Sequence, residues 1–197
     1  MPYLKRLAPE PEPIDCKILT AALNLFVEKG YHSVSIHEVQ KISDVSIGSI
    51  YKHFGGKEGI AKQLYKHVLN ELDELIDGVT TSVEDPVVQL EEIIKQLFEH
   101  TETHEYIISF LFYTKHTDFL PDEPLMNNSR PFLKIKEITS NAIEAKNINN
   151  TNINVASSII LGSAIRMIQL RIDGLIDDPL INHLDTLMNN IWNGLKA

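Results

Sequence analysis

Residues 35–57 read SIHEVQKISDVSIGSIYKHFGGK, and the fold turns on how this stretch is divided. Ser35 stands three residues before Glu38, the Ser-x-x-Glu spacing of a capping box, in which each side chain satisfies the other residue's free backbone N–H. A short helix through Ile36, Val39 and Ile42 follows, ending near Ser43. Asp44-Val45 then reads as a turn, because Asp tolerates a left-handed backbone better than most residues. Ser46 is placed to cap a third helix, SIGSIYKHF, which Gly55-Gly56 breaks. Two short helices joined by a tight turn form a helix-turn-helix. Ile36, Val39, Ile42, Val45, Ile50 and Phe54 are expected to form its core, leaving Ser46, Ile47, Ser49 and Lys52 available to a groove. A helix N-terminus that enters the major groove needs short side chains in its first turn to bring its backbone near base edges and phosphates, and Ser46, Gly48 and Ser49 meet that need.

Upstream, ILTAALNLFVEKG puts Ile18, Ala22, Leu25 and Phe26 on one helical face, and Gly30 follows where a left-handed cap belongs. Residues 1–13, with Pro2, Pro9, Pro11 and Pro13, read as a flexible arm whose Lys5 and Arg6 can reach a phosphate. Downstream, a fourth helix runs from Lys57 into the late seventies. Asp85-Pro86, Ser129-Arg130-Pro131 and Asp178-Pro179 each put a cap-type residue at or near a proline suited to a first helical turn. With Asn152 as a further cap, helices are expected at about 86–100, 104–116, 129–147, 152–173 and 179–195. The chain is therefore expected to be all-α, with an arm (1–13), a three-helix helix-turn-helix domain (14–60) and a rear helical domain (61–197).

From Ile18 to Tyr65, ILTAALNLFVEKGYHSVSIHEVQKISDVSIGSIYKHFGGKEGIAKQLY resembles the N-terminal domain of TetR (tetracycline-repressor) family regulators. The matching features are AA-x-x-LF, the G-Y/F step, VS-x-G-S-I-Y-x-HF and K-E. The resemblance implies that Tyr51, His53 and Lys57 contact the DNA backbone, that Ser46, Ile47, Gly48, Ser49 and Lys52 face the groove, and that the rear helices bind an effector and dimerise. Ser35, at the mouth of the second helix, is placed with this DNA-facing set. Two positions depart from the pattern. Ile47 offers a base only apolar contact where many members carry a basic or polar residue, and Asp44 puts a negative charge where glycine is common.

Charge qualifies this expectation. The chain has a formal net charge of -9, but residues 1–66 hold nine Lys and Arg against seven Asp and Glu, whereas residues 67–197 hold nine against twenty. The acid is concentrated in the rear, and the front has only a weak basic footprint. One cysteine, Cys16, excludes an intrachain disulfide, and the N-terminus lacks the apolar stretch of a secretory signal. The cytoplasm is the expected location. Serine or glycine interrupts the most apolar stretches, 107–113 and 155–165, and no bilayer crossing is expected.

In the rear domain, the 152–173 helix is apolar on nearly all sides, which calls for a partner surface. Together with Leu180, Leu184, Leu187, Met188, Ile191 and Trp192 in the last helix, it is expected to form a two-fold homodimer. An effector pocket is expected among Phe98, His104, Tyr106, Phe110, Tyr113, His116, Arg166 and Gln169, where aromatic surface meets a few polar groups. Arg166, a charge in an apolar helix, must pair with a structural carboxylate or an acidic effector. His100 and His104, at i and i+4, have a zinc-compatible spacing with Glu105 and His116 near in sequence, but Glu102 is out of place for a metalloprotease base and no metal or cofactor is expected. There is no phosphate loop or nucleophile elbow, so an enzyme is not expected. The function these residues imply is a DNA-binding repressor released from a palindromic operator by a small molecule. The alternative is a ligand- or protein-binding module of the same fold that does not bind DNA.

Overall fold

The computed structural model describes Leu4, residues 12–149 and residues 151–196. Nearly all of the arm expected at 1–13, with Lys5 and Arg6, lies outside the described residues. The chain is all-α: α1 (Ile14–Lys29), α2 (Ile36–Ser43), α3 (Ile47–Phe54), α4 (Lys57–Ser82), α5 (Pro86–Thr103), α6 (Glu105–Phe112), α7 (Arg130–Glu144), α8 (Ile153–Ile172) and α9 (Leu184–Leu195). Short 3₁₀ turns occupy Tyr31–Ser33, His116–Asp118, Met126–Asn128 and Leu180–His183. Two compact units result, one built from residues 1–72 and 106–125, the other from 73–105 and 126–197.

In the first unit, α1 packs on α2, and α2 on α3. Ile18, Leu25, Phe26, Val39, Ile50, Ile60 and Leu64 are fully or almost fully buried there, each contributing about 1.5–3 kcal/mol of hydrophobic stabilisation. Ile42 is an exception to the expected core: it is 56% exposed, although it stands only three residues from the fully buried Val39. Gly30 also departs from expectation. Its φ is positive as foreseen, but with ψ at 147° it is extended rather than left-handed helical, a region that only glycine adopts readily. Asp44 does take the left-handed conformation, at φ 53° and ψ 36°.

Around His116 the first unit holds an aromatic cluster. The imidazole lies 4.7 Å from the rings of both Tyr65 and Phe110. Phe119, 5.9 Å away, stacks on Tyr31 at 4.3 Å. Burial holds the His116 pKa down at about 4.

In the second unit, α7 and α8 pack on each other and on α5, and α9 packs on α8. Asp85 caps α5 by accepting the N–H groups of Val87 (2.8 Å) and Val88 (3.1 Å). Asn152 caps α8 through the N–H of Asn154 (2.9 Å). Two other expected caps are not made. Ser129 turns its hydroxyl back onto the Met126 carbonyl (2.6 Å), and Asp178 is held by His183 (3.0 Å), so the last helix opens with a 3₁₀ turn and becomes α-helical only at Leu184. Asp73 is gripped by Arg130 (3.2 Å) and Lys134 (2.6 Å), and Lys134 also bonds Asp77. The Trp192 indole donates to Glu91 at 2.5 Å.

The α8 helix is long and apolar enough, by length and composition, to match a membrane span. Here it buries Ala156, Ile160, Leu161, Ala164 and Ile168 and carries Arg166 and Arg171, so one face packs inward while the rest of the helix is turned outward.

Candidate functional site

The helix-turn-helix is assembled from local signals. Ser35 and Glu38 close the capping box: the carboxylate accepts the Ser35 N–H (2.8 Å) and hydroxyl (2.9 Å), and the Ser35 oxygen accepts the Glu38 N–H (3.3 Å). The other Glu38 oxygen pairs with Lys29 at the end of α1 (2.8 Å). The Lys29 ammonium and the Ser35 donors together hold the Glu38 pKa down at about 2. Ser35 is exposed, but its hydroxyl serves the start of α2.

Ser46 caps α3 by accepting the Ser49 N–H (3.2 Å) and donates its own proton to the Ser49 hydroxyl (3.1 Å). Of this helix only Ile50 is fully buried. Ser46, Gly48, Tyr51, Lys52 and His53 are exposed, and Ile47 and Ser49 half-buried. The outward face of α3 therefore has a small, polar first turn, followed by a phenol, an ammonium and an imidazole. The Tyr51 side chain is 54% exposed.

Lys57 has a structural task that the sequence reading did not foresee. Its ammonium donates to the carbonyls of Tyr31 (2.9 Å) and Val34 (2.8 Å) and lies 4.2 Å from the centre of the Tyr31 ring. A cation in the first turn of a helix opposes the helix dipole, so a lysine there gains from carbonyls or a π-face close at hand. The one mark of it in the sequence is that Tyr31 follows Gly30, at the point where the chain turns. Gly59, also unmarked in the sequence, is required by close approach. A Cβ there would fall on the carbonyl of Phe54, the last residue of α3, so the α3–α4 junction is built around a missing side chain.

A cavity of about 330 Å³ adjoins this region, lined by Asp15, Leu19, His53, Phe54, Gln63, Lys66, His67 and Asn70.

The residues expected to form an effector pocket fall in both units. Tyr106, Phe110, Tyr113 and His116 belong to the first. There Phe110 and His116 are buried together, Tyr106 is largely exposed with its hydroxyl on Glu28 (2.7 Å), and Tyr113 is exposed. Phe98, His104, Arg166 and Gln169 belong to the second. Phe98 is core, and His104 closes α5, its Nδ1 lying 3.2 Å from that of His100. Arg166 points outward to Gln169 (3.4 Å). Within α8 the arginine with a carboxylate is Arg171 instead: it clasps Glu102 through Nη2 (2.8 Å) and Nε (3.0 Å) and holds the carbonyls of Ile176 and Asp177 (2.9 Å each). Glu102 also accepts the Leu180 N–H (3.2 Å). Among the described residues no three His, Cys, Asp or Glu side chains gather as metal ligands.

Residues 18–64 match the sequence profile of the bacterial regulatory proteins of the tetR family. The chain is 38% identical over 72 residues to the HTH-type transcriptional regulator HbdR of Aromatoleum sp. (strain CIB), covering 34% of this chain and 31% of that protein. It is 33% identical over 89 residues to AcrR of Shigella flexneri, covering 45% and 41%. These matches span only about a third to two fifths of the curated relatives' length. In fold the likeness runs through almost the whole chain. A TetR family transcription regulator from Marinobacter aquaeolei VT8 superposes with a TM-score of 0.76 at 12% identity, over 92% of this chain and 95% of that one. FadR from Bacillus subtilis, solved in complex with stearoyl-CoA, gives 0.70 at 17% identity, over 91% and 98%. The helix-turn-helix segment is thus similar in sequence to the tetR-family regulators, and the chain as a whole is similar in fold to solved members of that family.

Proposed function

We propose that this protein is a cytoplasmic, sequence-specific DNA-binding regulator, a homodimeric repressor released from a palindromic operator by a small-molecule effector. The observation that carries this reading is the outward face of α3, where Ser46 and Gly48 leave room at the helix start and Tyr51, Lys52 and His53 stand exposed behind them. Ser46, Ile47, Gly48, Ser49 and Lys52 face the groove, Tyr51 and His53 meet phosphates, and Ser35 sits at the rim. Lys57 acts chiefly by holding the 31–34 turn, with one ammonium proton left for a phosphate. Residues 14–60 are the reading domain and 61–197 the effector-binding and dimerisation domain.

Dimerisation through α8 and α9 is supported by the apolar side chains that α8 turns outward, Val155 and Ile159. Two heads related by a two-fold axis suit half-sites one helical turn apart. An effector that prefers a dimer with its heads wrongly spaced weakens operator binding by the same factor that the operator weakens effector binding. The relatives' names and the acyl-CoA held by the FadR neighbour support a ligand-responsive regulator.

The test is selection of the purified protein against random duplex DNA at two salt concentrations. A palindrome recovered more weakly at high salt is expected, with binding lost in Lys52→Ala and in the pair Val155→Glu, Ile159→Glu, the latter running as a monomer. Asp44 at the turn and the engagement of Lys57 within the fold favour the second reading, a module of this fold that does not bind DNA. No enrichment at either salt would establish it.

A further inference from the structure

The groove between α7 and α8, in the second unit, brings a lysine and a buried, unpartnered hydroxyl beside apolar side chains. It has a volume of about 350 Å³ and is floored by Phe132, Ile135, Leu161 and Ile165. Lys136 and Ser157 supply its chemistry. Two residues earlier on α7, Lys134 is neutralised by Asp73 and Asp77. Lys136, on another face of the helix, has no carboxylate within ion-pair distance among the described residues. The Ser157 hydroxyl oxygen is buried at the groove with no hydrogen-bond partner among them, an unfavourable state for a buried polar group unless something answers it.

Order along the chain gives the groove a polarity. On α8 the lining residues run Asn154, Ser157 and Ser158, then Leu161 and Ile165. On α7 they run Phe132 and Ile135, then Lys136. Helices in contact and joined by a short link are antiparallel neighbours, so Lys136 lies toward the Ser157 end and Phe132 toward Ile165. The distance from Ser157 to Ile165 along α8 is about 12 Å.

We propose that this groove is a binding site for an amphipathic monocarboxylate of medium length. Its carboxylate bonds the Lys136 ammonium and the Ser157 hydroxyl, and its alkyl chain lies over Leu161 and Ile165. The groove borders the face proposed for dimerisation, since Ser158 and Gly162 of its lining are exposed beside Val155 and Ile159, but those two apolar side chains are not themselves part of the lining. The site stands apart from the residues named for the effector pocket, and its test is independent of DNA binding.

Titration of the full chain with octanoate, followed by calorimetry and by amide and methyl NMR shifts, reads the site directly. Saturable binding of one octanoate per chain is expected, with the largest shifts at Leu161 and Ile165. Lys136→Met, which keeps the aliphatic stem, should weaken it about tenfold or more, and Ser157→Ala about threefold to tenfold. Octan-1-ol should bind more weakly and be indifferent to Lys136→Met. Octanoate affinity unchanged in both variants would place the ligand elsewhere, and no saturable binding would overturn the proposal. So would a groove closed by self-association, seen as groove shifts that grow with protein concentration in the absence of octanoate.

Discussion

The helix-turn-helix and the α8–α9 region are both helical hairpins, but they are held by opposite means. Each short helix of the first is closed by its own side chains, with Ser35 and Glu38 on α2 and Ser46 on α3, and α3 buries a single residue fully. The α8 helix has one cap, buries five residues and turns Val155 and Ile159 outward. Helices of eight residues cannot persist on propensity, so the front of the molecule writes its boundaries into the sequence. A helix of 20 residues is held by what covers it, and its covering is written elsewhere in the chain. The two regions should fail differently.

The largest effect should come from the α3–α4 junction. In Gly59→Ala the new methyl meets the Phe54 carbonyl, and backbone must move to admit it. A stability loss of about 3 kcal/mol or more is expected, with operator affinity falling with it because α3 and α4 can no longer hold their angle. Thermal unfolding followed by circular dichroism checks this. A wild-type melting temperature in Gly59→Ala would mean that the junction is looser than the comparison requires.

A comparable effect is expected from acid, and it belongs to the aromatic cluster rather than to either hairpin. Because burial lowers the His116 pKa from 6.5 to about 4, the unfolded chain takes up this proton before the folded one does. Stability from this group is therefore complete above about pH 6.5 and is lost as pH falls toward 4, by about 3 kcal/mol at most. Denaturant titrations across that range should show the decline, and His116→Leu should flatten it. Glu38 works in a lower window. Its carboxylate, held down to about 2, contributes stability above about pH 4.5 that is lost as pH falls toward 2. That loss should shrink in high salt, because the pair with Lys29 is exposed.

The rear hairpin has its own lock. Glu102→Gln keeps the shape but removes the charge that Arg171 clasps, and with it the hold on the 176–180 segment. Amide exchange at Leu180 should rise about tenfold, while exchange in α2 and α3 stays unchanged. Faster exchange throughout would show that the lock supports the whole unit rather than its loop.

What the sequence disclosed follows the same division. The capping box, the Ser46 cap, the Asp44 turn and the bounds of α2 and α3 were legible because each depends on residues within four positions of one another. Ile42 was misread because a two-turn helix has room for only a narrow buried face. The Lys57 clamp on Tyr31 and Val34 spans more than 20 residues, and the meeting of Phe54 with Gly59 depends on a junction angle that no periodicity encodes. Arg166 looked like the cation that needed a partner, yet Arg171 has it. Helix periodicity places a residue on a face but does not say which face meets another element.

The smallest predicted effect tests the comparison most closely, by making the same change in both regions. Ser46→Ala and Asn152→Ala each remove one N-cap bond, to Ser49 and to Asn154 respectively, and each should cost about 1 kcal/mol of helix stability. Their consequences should differ. Because α3 buries only Ile50 fully, fraying of its first turn displaces the residues proposed to meet DNA, and operator affinity should fall about fivefold. Because α8 is pinned by five buried side chains, the loss of Asn152 should loosen a single turn and leave both operator affinity and dimerisation unchanged. Equal losses of affinity in the two variants would mean that the front is held by packing as much as by its caps.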